Sequence, residues 1–272
     1  MALAEPQNAP GAAVTKMFYF SGTGNSLWSA REIARALGGE VELAGIGQEL
    51  SGVGAAIEAD AVVLVFPSYA FGLPRAVRRF AAAADFRTPY LAAFVTYGSV
   101  PGGTLAALSR ALKRKSIDAL YFGRIPAVEN YIAIFGAPRE KAMQRRLAMQ
   151  SEATREAARI VAERRTNRVN RFRPLSAFVW ILFSLGLKLF YRRYRVSGDC
   201  DGCGVCERVC PVSAVSMRGG RPVFSAECEH CQGCLNWCPK KAIHFGRLNS
   251  RLARYRHPEA SLGEMSRRGA WS

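Results

Sequence analysis

Residues 14–37 read VTKMFYFSGTGNSLWSAREIARAL, and the fold turns on how this stretch is read. Val14 to Phe20 is a short apolar run of strand type. Ser21, Gly22, Thr23, Gly24, Asn25 and Ser26 then form a small polar loop, and the rest has helical periodicity. Leu27, Ala30, Ile33, Ala34 and Leu37 share one face of that helix. A strand, a glycine-bearing turn and a helix N-terminus, in that order, make a phosphate cradle. Backbone N–H groups and hydroxyls converge on the anion, and the helix dipole adds to their pull. A Walker loop needs Gly-Lys-Ser/Thr at its end, and no Lys is present. The dinucleotide fingerprint needs a third glycine where this chain has Leu27. Ser, Thr and Asn without Lys suit a terminal monophosphate. Taken alone, the six residues also read as a turn with a good helix N-cap, so the rest of the chain decides.

Ala61–Phe66 (AVVLVF) and Tyr90–Thr96 are two further buried-strand runs, with weaker ones at Val41–Ile46 and near Leu120–Ile125. Helical patterns lie near residues 74–83, 103–115 and 138–165. Five strands alternating with helices predict an α/β fold built on a doubly wound parallel sheet of order 2-1-3-4-5. A ligand then binds at the carboxyl ends of strands one and three, the switch point. Two loops flank that point. One carries Pro67, Ser68, Tyr69, Phe71 and Gly72; the other carries Thr96, Tyr97 and Gly98. Tyr69, Phe71 or Tyr97 is placed to stack on a flat ring, and loop N–H groups to address its polar edge.

All eight cysteines fall in one run repeated twice. Cys200, Cys203, Cys206 and Cys210 read C-x2-C-x2-C-x3-C-P, and Cys228, Cys231, Cys234 and Cys238 read the same 28 residues later. Thiolates at this step on a tight loop converge on three corners of a cubane, and the fourth closes a neighbouring one. Structural zinc sites use two cysteine pairs and have no need of a third at the same step. A disulfide framework wants a secreted context, yet MALAEPQNAPGAAVTK at the start has neither a basic n-region nor an apolar h-region. Gly202, Gly204 and Gly233 let the loops bend toward the cluster sulfurs. His230 lies inside the second run and reads as a loop residue, since four cysteines already suffice.

With these motifs in view, residues 14 to about 130 resemble a short-chain flavodoxin, with Ser26 where many flavodoxins carry Thr. The cysteine runs resemble bacterial two-cluster ferredoxins. Together they resemble the bacterial and archaeal flavodoxin–ferredoxin fusion family, over most of residues 14–246. The resemblance implies FMN in the Ser21–Ser26 loop and two [4Fe–4S] clusters, with the fourth cysteine of each run ligating the other run's cluster. Cys200, Cys203, Cys206 and Cys238 would hold one, and Cys228, Cys231, Cys234 and Cys210 the other. It implies electron transfer between flavin and clusters and names no substrate.

The expected organisation is a tail (1–13), a flavodoxin-like domain (14–165), a basic and apolar connecting helix (166–197), a small α+β ferredoxin domain (198–246) and a basic tail (247–272). The formal net charge is +17, and it flanks the cluster region. From Gly198 to Gly246 five basic residues balance five acidic ones, whereas Arg164 to Arg195 holds nine basic residues and no acid. Arg247, Arg251, Arg254 and Arg256 follow. No helix-turn-helix, zinc-finger or RNA-recognition signature accompanies these arginines, so no nucleic acid is expected; acidic redox proteins or anionic lipid are the expected partners. Leu175–Leu187 is uncharged for thirteen residues, short of the roughly 20 a spanning helix needs. It is read first as a helix buried between domains and second as an interfacial one. The expected function is a cytoplasmic electron-transfer adapter between one-electron and two-electron redox partners, with peripheral attachment at the inner membrane surface as a variant. The alternative is a flavin-dependent reductase acting on a small substrate, for which Tyr97, Glu129 and Tyr131 are candidate acids.

Overall fold

The computed structural model describes residues 14–49, 56–113, 115, 117–131, 137–169, 174–246 and 253–266. The expected tail 1–13 lies outside these residues, as do Arg171, Arg173, Arg247 and Arg251 of the basic runs. The first unit runs β1 (Val14–Tyr19), α1 (Asn25–Leu37), β2 (Glu40–Gly45), α2 (Ile46–Glu49), β3 (Ala56–Glu58), β4 (Ala61–Pro67), α3 (Arg75–Ala83), β5 (Asp85–Arg87), β6 (Tyr90–Tyr97), α4 (Thr104–Leu112), β7 (Ala119–Pro126) and α5 (Glu140–Ala162). Its main sheet is five-stranded, ordered β2-β1-β4-β6-β7, with every pairing parallel. Counting main strands only, this is the order 2-1-3-4-5 of a flavodoxin-like doubly wound sheet. The short strands β3 and β5 form a separate parallel pair that the apolar runs did not announce.

Alternation along the strands explains why both faces are covered. Phe18, Val62, Leu64, Phe66, Leu91, Ala93 and Val95 point to the side of α3 and α4, where Phe80 and Leu108 meet them. Met17, Val63, Val65, Ala92 and Phe94 point to the side of α1 and α5, against Leu27, Ile33, Ala157 and Val161. Strands buried on both faces must be apolar at every position, as AVVLVF is. Each such fully buried Leu, Val or Phe contributes roughly 1.5–3 kcal/mol.

The second unit contains α6 (Pro174–Phe190), β8 (Tyr194–Val196), α7 (Val205–Arg208), β9 (Val215–Arg218), β10 (Arg221–Phe224), α8 (Gly233–Trp237), β11 (Ile243–Phe245) and α9 (Leu262–Ser266). It holds two antiparallel strand pairs, β8–β11 and β9–β10. The β8–β11 pair starts at Tyr194, ahead of the boundary drawn at residue 198. The 28-residue repeat is visible in the backbone. Gly204 and Gln232 are left-handed N-caps of α7 and α8. Gly202 and His230 also have positive φ, as do Ser213 and Lys241.

The two units are joined by specific contacts. Glu229, only 2% exposed, accepts hydrogen bonds from the backbone N–H groups of Arg75 (3.0 Å) and Ala76 (2.8 Å). It thereby caps α3, whose own N-cap residue Pro74 supplies no side-chain cap. Residues 253–266, expected to be part of a basic tail, instead form a strap from the second unit back to the first. The Tyr255 backbone N–H donates to Asn236 Oδ1 (2.9 Å), and its hydroxyl donates to Asn25 Oδ1 (2.7 Å). His257 donates its N–H to the Thr23 carbonyl (2.9 Å) and stacks on Trp28. Arg31 pairs with Glu264.

Helix α6 corrects another expectation. Its inner face does pack against both units: Trp180 lies against Gly72 and under Arg78, and Phe183 lies beside His230. Its outer face is exposed, because small units touch the helix from one side only. Among the described residues no helix is long and apolar enough to cross a membrane.

Replacing Glu229 by Gln should test the cross-unit cap. An amide presents one acceptor oxygen where two N–H groups now converge, so about 1–3 kcal/mol of stability should be lost. Denaturant unfolding reads this directly; an unchanged midpoint would show that the cap contributes nothing.

Candidate functional site

The loop between β1 and α1 is built to hold an anion. Gly24 sits at φ 99° and ψ −18°, a left-handed conformation that a residue with a Cβ adopts only under strain, and no side chain caps the helix it starts. The first-turn N–H groups of α1 therefore face the loop without an internal cap. Ser21, Thr23 and Ser26 are all buried. Thr23 Oγ1 accepts from Asn130 Nδ2 (2.6 Å), which leaves its own proton to donate. Ser26 Oγ and Thr96 Oγ1 share a hydrogen bond of 2.8 Å; with Thr96 as donor, Ser26 also has a proton to give. Asn25 is used differently. Its amide donates to the Val128 carbonyl (2.9 Å) and accepts from Tyr255, so its side chain ties loops together.

These residues line a cavity of about 540 Å³. Of the residues expected from sequence, Ser21, Gly22, Thr23, Asn25, Ser26, Pro67, Ser68, Tyr69, Phe71, Thr96, Tyr97 and Gly98 line it, whereas Gly24 and Gly72 do not. Tyr69 and Gly72 exchange backbone hydrogen bonds, forcing Ala70 and Phe71 to positive φ in the turn between them. Phe71 is left 43% exposed at the rim. The Tyr69 hydroxyl is buried, and burial first, then the charges of Cys231 and Glu229, raises it well above its ordinary value.

Of the remaining walls, Glu129 and Tyr131 are candidates from the sequence, and the rest are not. Ala127–Tyr131, which follows β7, forms one side, and Phe183, Arg193, His230 and Phe245 bring the second unit to the same cavity. Glu129 Oε1 accepts from the N–H groups of Asn130 (3.0 Å) and Tyr131 (3.1 Å). Burial pushes the Tyr131 hydroxyl up to about 12 and the His230 imidazole down to about 4, so both are neutral near pH 7. The loop reading of His230 is thus incomplete: its ring is also a wall, in contact with those of Tyr131, Tyr194 and Phe245. The available signal was its place in the repeat, where the first run has Gly202.

The phosphate loop and the second cysteine run touch. A Cβ on Gly22 would lie 2.6 Å from the Cys231 carbonyl oxygen and 2.9 Å from its Cβ. Trp237 Nε1 donates to the Gly22 carbonyl at 3.1 Å.

The cysteines group across the repeat. Burial is the largest cause raising the Cys231 thiol, and Cys210 of the other run is the leading charged neighbour. Cys228 is pushed up to about 11 by burial, again with Cys210 as its nearest thiol influence. Cys206 is likewise pushed up to about 11 by burial, and its thiol neighbours are Cys238 and Cys203. The repeat extends to the sulfurs: Cys210 accepts from the Ala214 N–H (3.1 Å) and Cys238 from the Ala242 N–H (3.3 Å). Buried thiols that repel one another's charge become thiolates only around a cationic centre. Among the described residues, no three His, Cys, Asp or Glu side chains sit close enough to share a single ion, and no cysteine is in a disulfide. Cys210 thus sits with Cys228, Cys231 and Cys234, and Cys238 with Cys206 and Cys203, a donor chemistry that suits a polynuclear centre.

Residues 194–216 match the family described as 4Fe-4S binding domain. The match spans the first cysteine run and ends before the second, and it supports at least one [4Fe–4S] cluster in the second unit. No curated protein matches the chain. Among solved structures, a flavodoxin from Streptococcus pneumonia TIGR4 is 15% identical, covering 54% of this chain and 99% of its own, with a TM-score of 0.34. The two-electron reduced flavodoxin of Megasphaera elsdenii is 18% identical over 52% of this chain and 98% of its own, at 0.31. A Fusobacterium nucleatum flavodoxin bound to flavin mononucleotide is 11% identical over 56% and 98%, at 0.36. Strand order and register, rather than these likenesses, carry the fold.

Gly22→Ala should force the phosphate loop and the Cys231 loop apart. Overpacking of this kind costs about 1–3 kcal/mol. A lower unfolding midpoint is expected, and a variant as stable as its parent would show that the two loops do not meet.

Proposed function

We propose that this chain is a flavo-iron–sulfur electron-transfer protein. FMN sits with its phosphate in the Ser21–Ser26 loop and its ring in the cavity. Cys200, Cys203, Cys206 and Cys238 hold one [4Fe–4S] cluster, and Cys228, Cys231, Cys234 and Cys210 hold a second. The observation that carries this reading is the shared wall: one cavity is lined by the phosphate loop on one side and by His230 and Phe245 of the cysteine unit on the other.

FMN, when bound, exchanges two electrons in single steps while each cluster exchanges one, so the pair adapts one kind of redox partner to the other. The chain's own residues do the positioning. Thr23, Ser26 and the uncapped N–H groups of α1 fix the phosphate end. Tyr131, Phe183 and Phe245 close the cavity with apolar rings, and Arg193 brings a positive charge to its wall, which favours a ligand that gains negative charge. Cys231, against Gly22, makes its cluster the inner one. Cys203 is exposed, which makes the other cluster the outer one and the place where a protein partner exchanges electrons. The basic surface favours partners with acidic patches. A reductase acting on a small substrate is less well served, since Tyr131 holds its proton to about pH 12 and the Glu129 carboxylate is occupied by two N–H groups.

Protein isolated without oxygen should contain about eight iron, eight sulfide and one FMN per chain; zinc in place of iron would overturn the cluster assignment. Thr23→Ala with Ser26→Ala removes two hydroxyl donors to a charged acceptor, each worth ~1.5–3 kcal/mol. FMN affinity should fall roughly two to four orders of magnitude with iron content unchanged. Cys210→Ala should remove the paramagnetic signal of the inner cluster and spare the outer one. Loss of the outer signal instead would reject the crossed ligation.

A further inference from the structure

Helix α6 presents two faces of different kinds. Toward the body, Trp180 is held against Gly72 and Arg78, and Phe183 lines the cavity beside His230. These contacts fix the rotation of the helix. On the opposite side Phe178, Ile181, Leu182, Leu185 and Leu189 are 59%, 50%, 54%, 65% and 61% exposed. Steps of three and four place them on one stripe, about 16 Å long at 1.5 Å per residue. Ten large apolar side chains are left exposed among the described residues, and half of them lie on this stripe. An apolar patch concentrated in this way marks a surface that is covered in use.

Charge decides what covers it. The helix runs directly into Tyr191, Arg192, Arg193, Tyr194 and Arg195, with all three arginines exposed. Among the described residues, Arg192 and Arg195 pair with no carboxylate; Arg192 meets the Tyr191 hydroxyl and ring, and Arg195 the backbone carbonyls of Arg192 and Tyr194. No acidic residue occurs between Arg164 and Arg195. A second copy of this chain would bring the same unpaired cations to the contact. An anionic bilayer supplies apolar depth and negative charge together. At 17 residues the helix is about 25 Å long, short of a span and suited to lying in the plane.

We propose that α6 is an in-plane anchor on anionic lipid. The stripe from Phe178 to Leu189 enters the boundary between headgroups and acyl chains, and Arg192 and Arg195 rest on lipid phosphates. Because Phe183 on the inner side of the same helix lines the cavity, docking brings the cavity within about one helix diameter, ~10 Å, of the bilayer.

The test uses the full chain with its cofactors, sedimented with vesicles of phosphatidylcholine alone or mixed with phosphatidylglycerol. Binding is expected only with the mixed vesicles, and it should weaken as salt rises. Leu182→Glu with Leu185→Glu should lower the affinity at least about tenfold while visible absorption stays that of the parent. Should that pair lose its colour, Leu185→Gln and Leu189→Gln made singly are expected to weaken binding in the same direction. Arg192→Gln with Arg195→Gln should cost roughly 30-fold and flatten the salt dependence. Failure to sediment with the mixed vesicles would overturn the proposal, as would glutamate or glutamine variants that bind as tightly as the parent. A dimer seen by ultracentrifugation, abolished by the same variants in a protein that ignores vesicles, would assign the stripe to a second copy instead.

Discussion

Between residue 22 and Cys231 there is no room for even a methyl group. The phosphate loop and the second cysteine loop meet backbone to backbone, and the Trp237 indole N–H pins the join by binding the Gly22 carbonyl. Much of the remaining architecture serves that meeting. Glu229, next to His230, reaches across to cap α3, and Arg79 pairs with Glu227 at the exposed edge. The His230 ring lies in the cavity wall, among the rings of Tyr131, Tyr194 and Phe245. Proximity of the two loops thus follows from one missing side chain, not from a flexible linker.

The repeat of the cysteine unit is faithful in backbone and unequal in side chains. The first run reaches its left-handed positions with Gly202 and Gly204; the second does so with His230 and Gln232. A non-glycine residue in that region carries strain of about 1–3 kcal/mol, offset here by ring packing of His230 against Tyr131, Tyr194 and Phe245. The glycine-bearing half leaves Cys203 exposed, while the half with side chains buries Cys228 and Cys234. On the proposed reading, one motif serves as an outward terminal and the other as an inward one.

Sequence alone carried the sheet, the strand–loop–helix at Val14–Leu37 and the iron–sulfur motif of the first cysteine run, because each depends on short-range pattern. AVVLVF is apolar at every step as a strand buried on both faces must be, and SGTGNS lies between a strand and a helix. The unforeseen parts are long-range. Glu229 capping α3, Tyr255 reaching Asn25, and Arg193 and Phe245 completing the cavity depend on how two units dock, which no local periodicity records. The helix at Pro174–Phe190 was misjudged for a related reason: apolar residues on every side do not say how many sides find a neighbour.

The strap at residues 253–266 has a consequence for assembly. Its contacts with Thr23, Asn25, Trp28 and Arg31 close over α1 from some 230 residues away in the chain. As the protein is synthesised, the parallel sheet can form long before these contacts exist. The cradle for phosphate is therefore shaped early but clamped late, after the cysteine unit has emerged and docked. If the proposed flavin sits there, its retention depends on completion of the cysteine unit, so a half-built molecule would release it more readily than a finished one.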